Sequence, residues 1–254
     1  MALRLGFRQI KGFAASDAER LVAARGNGYT DAAALWRRSK LSPAALETLA
    51  RADAMGSMGL KRREALWAVR GLPSAPLPLF AAMGAEERDG EAEVVLPEMP
   101  LGAEVIEDYS TLHLSLKCHP MALLREGFAW QKAVPAARLA GIPHGSRVAT
   151  AGLVLVRQRP GSANGVIFMT LEDETSVANI IVWPNIYERF RRTVLTSRLA
   201  LVSGTLQREG IVIHVVAERL VDCSDRLAWL MEQDGISPDA TGRQPTAFSS
   251  RDFH

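Results

Sequence analysis

Gly56 and Gly59 punctuate a short turn that runs into Lys61-Arg62-Arg63. This grouping suits the chemistry of holding phosphate. Glycines let the backbone come close to a ligand. The free N–H groups and the positive dipole end of a helix beginning near Lys61 attract an anion. Lys61, Arg62 and Arg63 add charge where a phosphate would lie. Lys11 and Gly12, in Ile10-Lys11-Gly12-Phe13, form a second candidate hairpin. Such contacts grip nucleic acid without reading its bases. The alternative is a glycine turn that is structural only, beside a solvated Arg-rich surface.

A second set of candidates lies between residues 157 and 192. Arg157, Gln158 and Arg159 precede the loop Pro160-Gly161-Ser162-Ala163-Asn164-Gly165. Phe168 and Trp183 offer aromatic faces on which any base can stack. Both also fit a hydrophobic core. Arg189, Arg191 and Arg192 make a basic stripe, which would equally complement a helix dipole.

Catalytic groupings are missing. The chain has no Asp-x-Asp and no His-x-His, so no residue is assigned a catalytic or metal-binding role and no cofactor is expected. Cys118 and Cys223 lie too far apart in sequence for a CxxC zinc site or a disulfide framework. His119 precedes Pro120 at an element boundary, where capping or packing explains it better than ligation.

The elements that would position these groups fall into an α+β, multi-module chain. Five short strands are expected at Arg147–Val156, Val166–Leu171, Ser176–Trp183, Leu199–Leu206 and Ile211–Ala217, with a helix at Pro184–Arg192 after the third. Three strands, a helix and two strands is the order of an OB-fold, a five-stranded Greek-key barrel. An SH3-like or other small barrel is the alternative. In the N-terminal part, Ser16 and Glu19 read as a capping box. Thr30-Asp31 and Ser42-Pro43 start the next two helices, and a fourth follows Lys61. Leu46, Leu49, Leu60, Leu66, Trp67 and Val69 are the expected core there. The division is then 1–70, a tandem helix-hairpin-helix bundle; 71–105, a linker; 106–143, a helical connector; 144–222, the barrel; and 223–254, a last helix and flexible tail.

Charge follows these divisions. Residues 1–70 carry 13 Lys/Arg against 6 Asp/Glu, residues 71–110 carry 1 against 9, and residues 145–220 carry 9 against 6. A basic module and a mildly basic barrel on either side of an acidic linker suit separate contacts with a polyanion. Within the proline-rich linker, Leu77, Leu79 and Phe80 form a candidate docking peptide, unless they fold back on the chain's own helices. No run approaches the length of a membrane span. The first residues lack the apolar core of a signal peptide, so a cytoplasmic protein is expected.

Several stretches together resemble one family. They are Leu5–Gly12 with the two helical hairpins, Glu107-Asp108-Tyr109, Leu114 to Met121, Leu171-Glu172-Asp173-Glu174-Thr175, and the terminal Ser250-Arg251-Asp252-Phe253-His254. They resemble the C-terminal region of bacterial C-family DNA polymerase III alpha subunits, nearest the error-prone, damage-inducible branch. The resemblance implies a helix-hairpin-helix domain on duplex DNA and an OB-fold near single-stranded template, in translesion synthesis. It also implies palm carboxylates holding magnesium, in a domain that this chain does not contain. Nucleotide incorporation is therefore not expected of this chain alone. Implied partners are the remaining polymerase core and the proteins of a mutagenesis complex. The sliding clamp would be reached indirectly, because Leu79-Phe80 lacks the glutamine of the replicative clamp motif. Two other functions compete: a stand-alone OB-fold nucleic-acid adaptor and a protein-interaction scaffold.

Overall fold

Asp31 and Ser42 each start a helix with a side-chain oxygen. In the computed structural model, which describes residues 5–72, 95–232 and 251–253, Asp31 accepts from Ala34 N at 2.7 Å and Ser42 from Ala45 N at 3.2 Å. These bonds satisfy donors that a helix start leaves open. Hydrogen bonds to Ala34 and Thr30 hold the Asp31 carboxyl below its ordinary value. The helices of this part are α1 (Ala15–Ala23), α2 (Ala32–Ser39), α3 (Pro43–Arg51) and α4 (Arg62–Arg70).

The first of them corrects an expectation. Ser16 does not cap α1; the N-cap is Ala14, with no side-chain bond. Asp17 N and Ala18 N already donate to Ala14 O. Gly12, at φ +76°, turns the chain so that the helix begins ahead of Ser16. Leu21, Leu35, Leu41, Leu46, Leu49, Met55 and Val69 close the core around Ile10. Trp67, expected in that core, is 59% exposed. The inward stripe of α4 is Arg62, Ala65 and Val69, which leaves Trp67 on the outer face.

By its contacts the chain divides into two units: Met1–Met99 with Thr111–Leu114, and Pro100–Ser110 with Ser115–His254. Helix α5 (Leu101–Leu112) begins inside the stretch expected as linker. Leu77, Leu79 and Phe80, and the acidic run 86–93, lie outside the described residues.

The second unit is built on the expected barrel. Its strands are β1 (Arg147–Gln158), β2 (Ile167–Glu172), β3 (Val177–Val182), β4 (Leu199–Glu209) and β5 (Val212–Asp222), with α7 (Pro184–Thr196) after β3. β1 pairs with both β2 and β4, β2 with β3, β3 in parallel with β5, and β5 with β4, which closes the barrel. Two close approaches make closure possible. A Cβ on Gly152 would lie 2.5 Å from Glu172 O, and one on Gly204, beside a bulge, 1.9 Å from Val216 O. Alternation fills the interior: Ile167, Met169 and Leu171 from β2 and Ala178, Ile180 and Val182 from β3 point inward. Arg251–Phe253, in the expected flexible tail, form β6 in parallel with β1 from Val156 to Gln158.

A second cluster packs the connector on the barrel's outside. Met121 of α6 (Pro120–Leu124), Ile106 and Phe128 meet Leu153, Leu199 and Leu201, with Leu227 and Leu230 of α8 (Asp225–Glu232). His119 Nδ1 accepts from Met121 N at 3.1 Å, so this histidine caps α6, and its ring packs edge-on against Tyr109. The acidic turn of the sequence fastens the same layer. Asp173 accepts from Ala136 N at 2.7 Å, Thr175 N at 2.8 Å and Ser176 N at 3.0 Å, and pairs with Arg125 at 2.8 Å. Burial pushes its carboxyl up, but the bonds from Thr175, Ala136 and Ser176 outweigh burial and hold it below its ordinary value.

Candidate nucleic-acid interface

The first hairpin is open on its glycine side. Lys11 and Gly12 are exposed, and nothing lies within 4 Å of where a Gly12 Cβ would stand. Phe7 and Phe13 pack at 5.9 Å on either side of the turn, which buried Ile10 anchors. One of its N–H groups is taken: Lys11 N donates to Thr111 O at 2.8 Å. Arg8, exposed in the 3-10 turn Phe7–Gln9, adds a cation to this end that the sequence reading passed over.

The second hairpin turns through the 3-10 segment Gly56–Met58 and Gly59, at φ +75°. Buried Met55 anchors it, and Gly56 and Gly59 face open space. Its three cations have different surroundings. Arg62 is fully buried, so it is not placed to meet a phosphate. It sits on the inward stripe of α4, one turn before Ala65, a helical spacing already visible in the sequence. Lys61 is exposed, and its ammonium pairs with the Glu98 carboxylate. The Arg63 guanidinium donates to Pro97 O at 2.6 Å and to Glu98 O at 3.3 Å. Residues 97–98 therefore engage Lys61 and Arg63, two of the three cations that the sequence assigned to phosphate.

On the barrel, Phe168 and Trp183 both belong to the outer surface. Phe168 is half-buried opposite Ile181. Trp183 follows Ile181 by two residues and is 50% exposed. Exposed Gln158 lies beside Phe168 on β1. Next to this row, pairing sets Thr170 against Asn179, Asn179 against His214, and His214 against Gln207. This line of hydrogen-bonding side chains runs across four strands, so only the register reveals it. His214 Nδ1 is buried without a hydrogen-bond partner.

Arg157 departs from the expected loop. β1 continues through it, a bulge between Val154 and Val156 shifts the alternation, and its side chain is buried. Its guanidinium donates to Val194 O and Ser197 O at the end of α7. Arg157 is thus a strut of the barrel. Arg159, Arg189 and Arg192 are exposed, with Arg159 over the Tyr187 ring and Arg189 over Phe190. The helix dipole does not account for the stripe. α7 runs on to Thr196 and has no basic residue in its last turn.

Two family profiles match where these modules lie. A helix-hairpin-helix motif matches residues 1–65, and an OB-fold nucleic-acid-binding domain matches residues 148–222. Along the whole chain, the error-prone DNA polymerase of Ruegeria pomeroyi is 52% identical over 275 aligned positions, covering 100% of this chain and 25% of that protein. The chain is a relative of the error-prone DNA polymerases. Error-prone DNA polymerase 1 of Rhizobium meliloti is 50% identical over 95% of this chain and 22% of its own length. The error-prone DNA polymerase of Brucella abortus is 46% identical over 100% of this chain and 24% of its own length. The chain thus spans about a quarter of the length of the error-prone polymerases it matches, and matches a C-terminal segment of them. Among the described residues no three or more His, Cys, Asp and Glu side chains gather into a metal-holding group. Nor is any described helix long and apolar enough to cross a membrane.

Proposed function

We propose that this chain is the DNA-gripping segment of an error-prone polymerase acting in translesion synthesis. The observation that carries the reading is the pairing of two different nucleic-acid modules in one chain: exposed glycine hairpins in the first unit and, in the second, a barrel whose outer surface carries exposed Trp183 and half-buried Phe168. The hairpins hold duplex through phosphates, with Lys11, Gly12, Gly56 and Gly59 at the backbone. Lys61 and Arg63 join once residues 97–98 give way. The barrel holds single-stranded template, with bases on Phe168 and Trp183, polar contacts from Gln158 and the Thr170–Asn179–His214 row, and phosphates near Arg159, Arg189 and Arg192.

In this reading the chemistry belongs to parts of a longer polymerase, and this chain positions DNA for it. Its partners are that polymerase core, proteins of a mutagenesis complex and, through them, the sliding clamp, in the cytoplasm. Binding of a labelled primer–template across a salt series tests the reading. Affinity falls steeply with salt if several phosphates are neutralised. Nucleotide incorporation by the purified chain would overturn the division of labour.

A further inference from the structure

Two arginines from different elements converge on one buried ring. Tyr187, in the first half of α7, is 6% exposed. The Arg159 guanidinium, from the β1–β2 loop, lies 5.3 Å from its ring centroid, and that of Arg191, one helical turn further along α7, lies 6.0 Å from it. Both arginines are exposed. We propose that Tyr187 gathers Arg159 and Arg191 into a fork for a single phosphate of a nucleic-acid strand, and that the strand therefore leaves the Trp183 platform along α7. This rests on the reading of the barrel as a single-strand site and gives that strand a direction.

The physical argument begins with how the guanidiniums are held. A guanidinium stacked on a ring uses its face, and its five N–H donors lie in the plane, pointing away. Contact with the ring thus holds two guanidiniums without consuming their N–H donors. Neither Arg159 nor Arg191 has an acidic partner among the described residues. Tyr187 is itself held by the barrel core, so the pair is anchored to the rigid part of the fold. Bringing two cations together costs repulsion, and an anion between them relieves it. The spacing also suits a nucleotide. Trp183 stands one turn before Tyr187, about 6 Å along the helix axis, so a base stacked on Trp183 has the fork within reach of its own backbone. α7 carries three arginines against one carboxylate, Glu188, which leaves its surface favourable to a strand beyond the fork.

The test uses the full chain and a labelled oligothymidylate, with affinity measured over a salt series. R159A and R191A should each weaken binding about tenfold at low salt, as expected for loss of a charge-assisted bond. If the two share one phosphate, the double variant should weaken binding little more than either single one. The slope of log affinity against log salt should then fall by about 0.7 in total. Arg191→Lys should restore part of the affinity that R191A loses. Thermal melting checks that each variant is folded. Unchanged affinity in R191A while Trp183→Ala weakens binding would overturn the fork and leave the barrel reading standing. Unchanged affinity in R159A, R191A and Trp183→Ala alike would overturn both.

Discussion

Asp173→Ala should destabilise the barrel unit more than its place in an acidic turn suggests. The Asp173 side chain is 1% exposed and meets Arg125, Ala136, Thr175 and Ser176. Thr175 and Ser176 are exposed, so their N–H groups can turn to water after the change. Ala136 is buried, and its N–H would lose its acceptor, at a cost of about 1–3 kcal/mol. Arg125 keeps Glu174 at 2.7 Å, so losing one of its two acids adds about 1–2 kcal/mol, less than for a fully orphaned charge. The expected loss is about 3 kcal/mol, read from urea unfolding of the full chain and its variant at neutral pH. The folded-state carboxyl lies below its ordinary value, so its contribution is complete above about pH 4 and fades as pH falls through the lower, folded value. The variant should accordingly show a flatter acid limb. A loss under about 1 kcal/mol, or an unchanged acid limb, would refute the account of the turn as the fastener between barrel and connector.

Glu98→Gln should raise the chain's affinity for duplex severalfold at low salt, because it removes the carboxylate that pairs with Lys61; the gain should vanish at high salt, and unchanged affinity would remove residues 97–98 as competitors. Arg157→Met should cost about 2–4 kcal/mol by leaving the carbonyls of Val194 and Ser197 without their donor, while oligothymidylate binding by the folded fraction stays intact. Burial, with Glu172 and Cys118, pushes the Tyr109 phenol up to about 12. Its stabilising effect is therefore whole below about pH 10 and lost as pH rises through the folded value, and an absorbance titration should show a phenol phase near pH 12 that Tyr109→Phe removes.

The OB-fold order was legible because strand-length apolar runs alternate with turn residues, and the 13-residue α7 begins at a proline suited to a first helical position. The hairpins were legible from glycines that the turns require at positive φ. What escaped the sequence came from tertiary geometry. Arg157 looks like a surface cation until a bulged strand turns it inward, whereas the inward place of Arg62 follows from its helical spacing to Ala65 and Val69. Ser16 has the residue type of a cap, but Gly12 starts the helix ahead of it. The Thr170–Asn179–His214–Gln207 row spans four strands, and the cover of residues 97–98 over Lys61 and Arg63 joins positions more than thirty apart. Local pattern carries no signal for either.

The measurement that bears most directly on the central claim is fluorescence anisotropy of a labelled primer–template with the full chain, repeated across a salt series. A variant carrying Lys11→Ala, Lys61→Ala and Arg63→Ala, which spares the buried Arg62, would run beside it. The account predicts binding that weakens steeply with salt and a shallower slope for the variant, by about 0.9 for each duplex phosphate that is no longer neutralised. A folded chain that leaves the primer–template unbound even at low salt would contradict it.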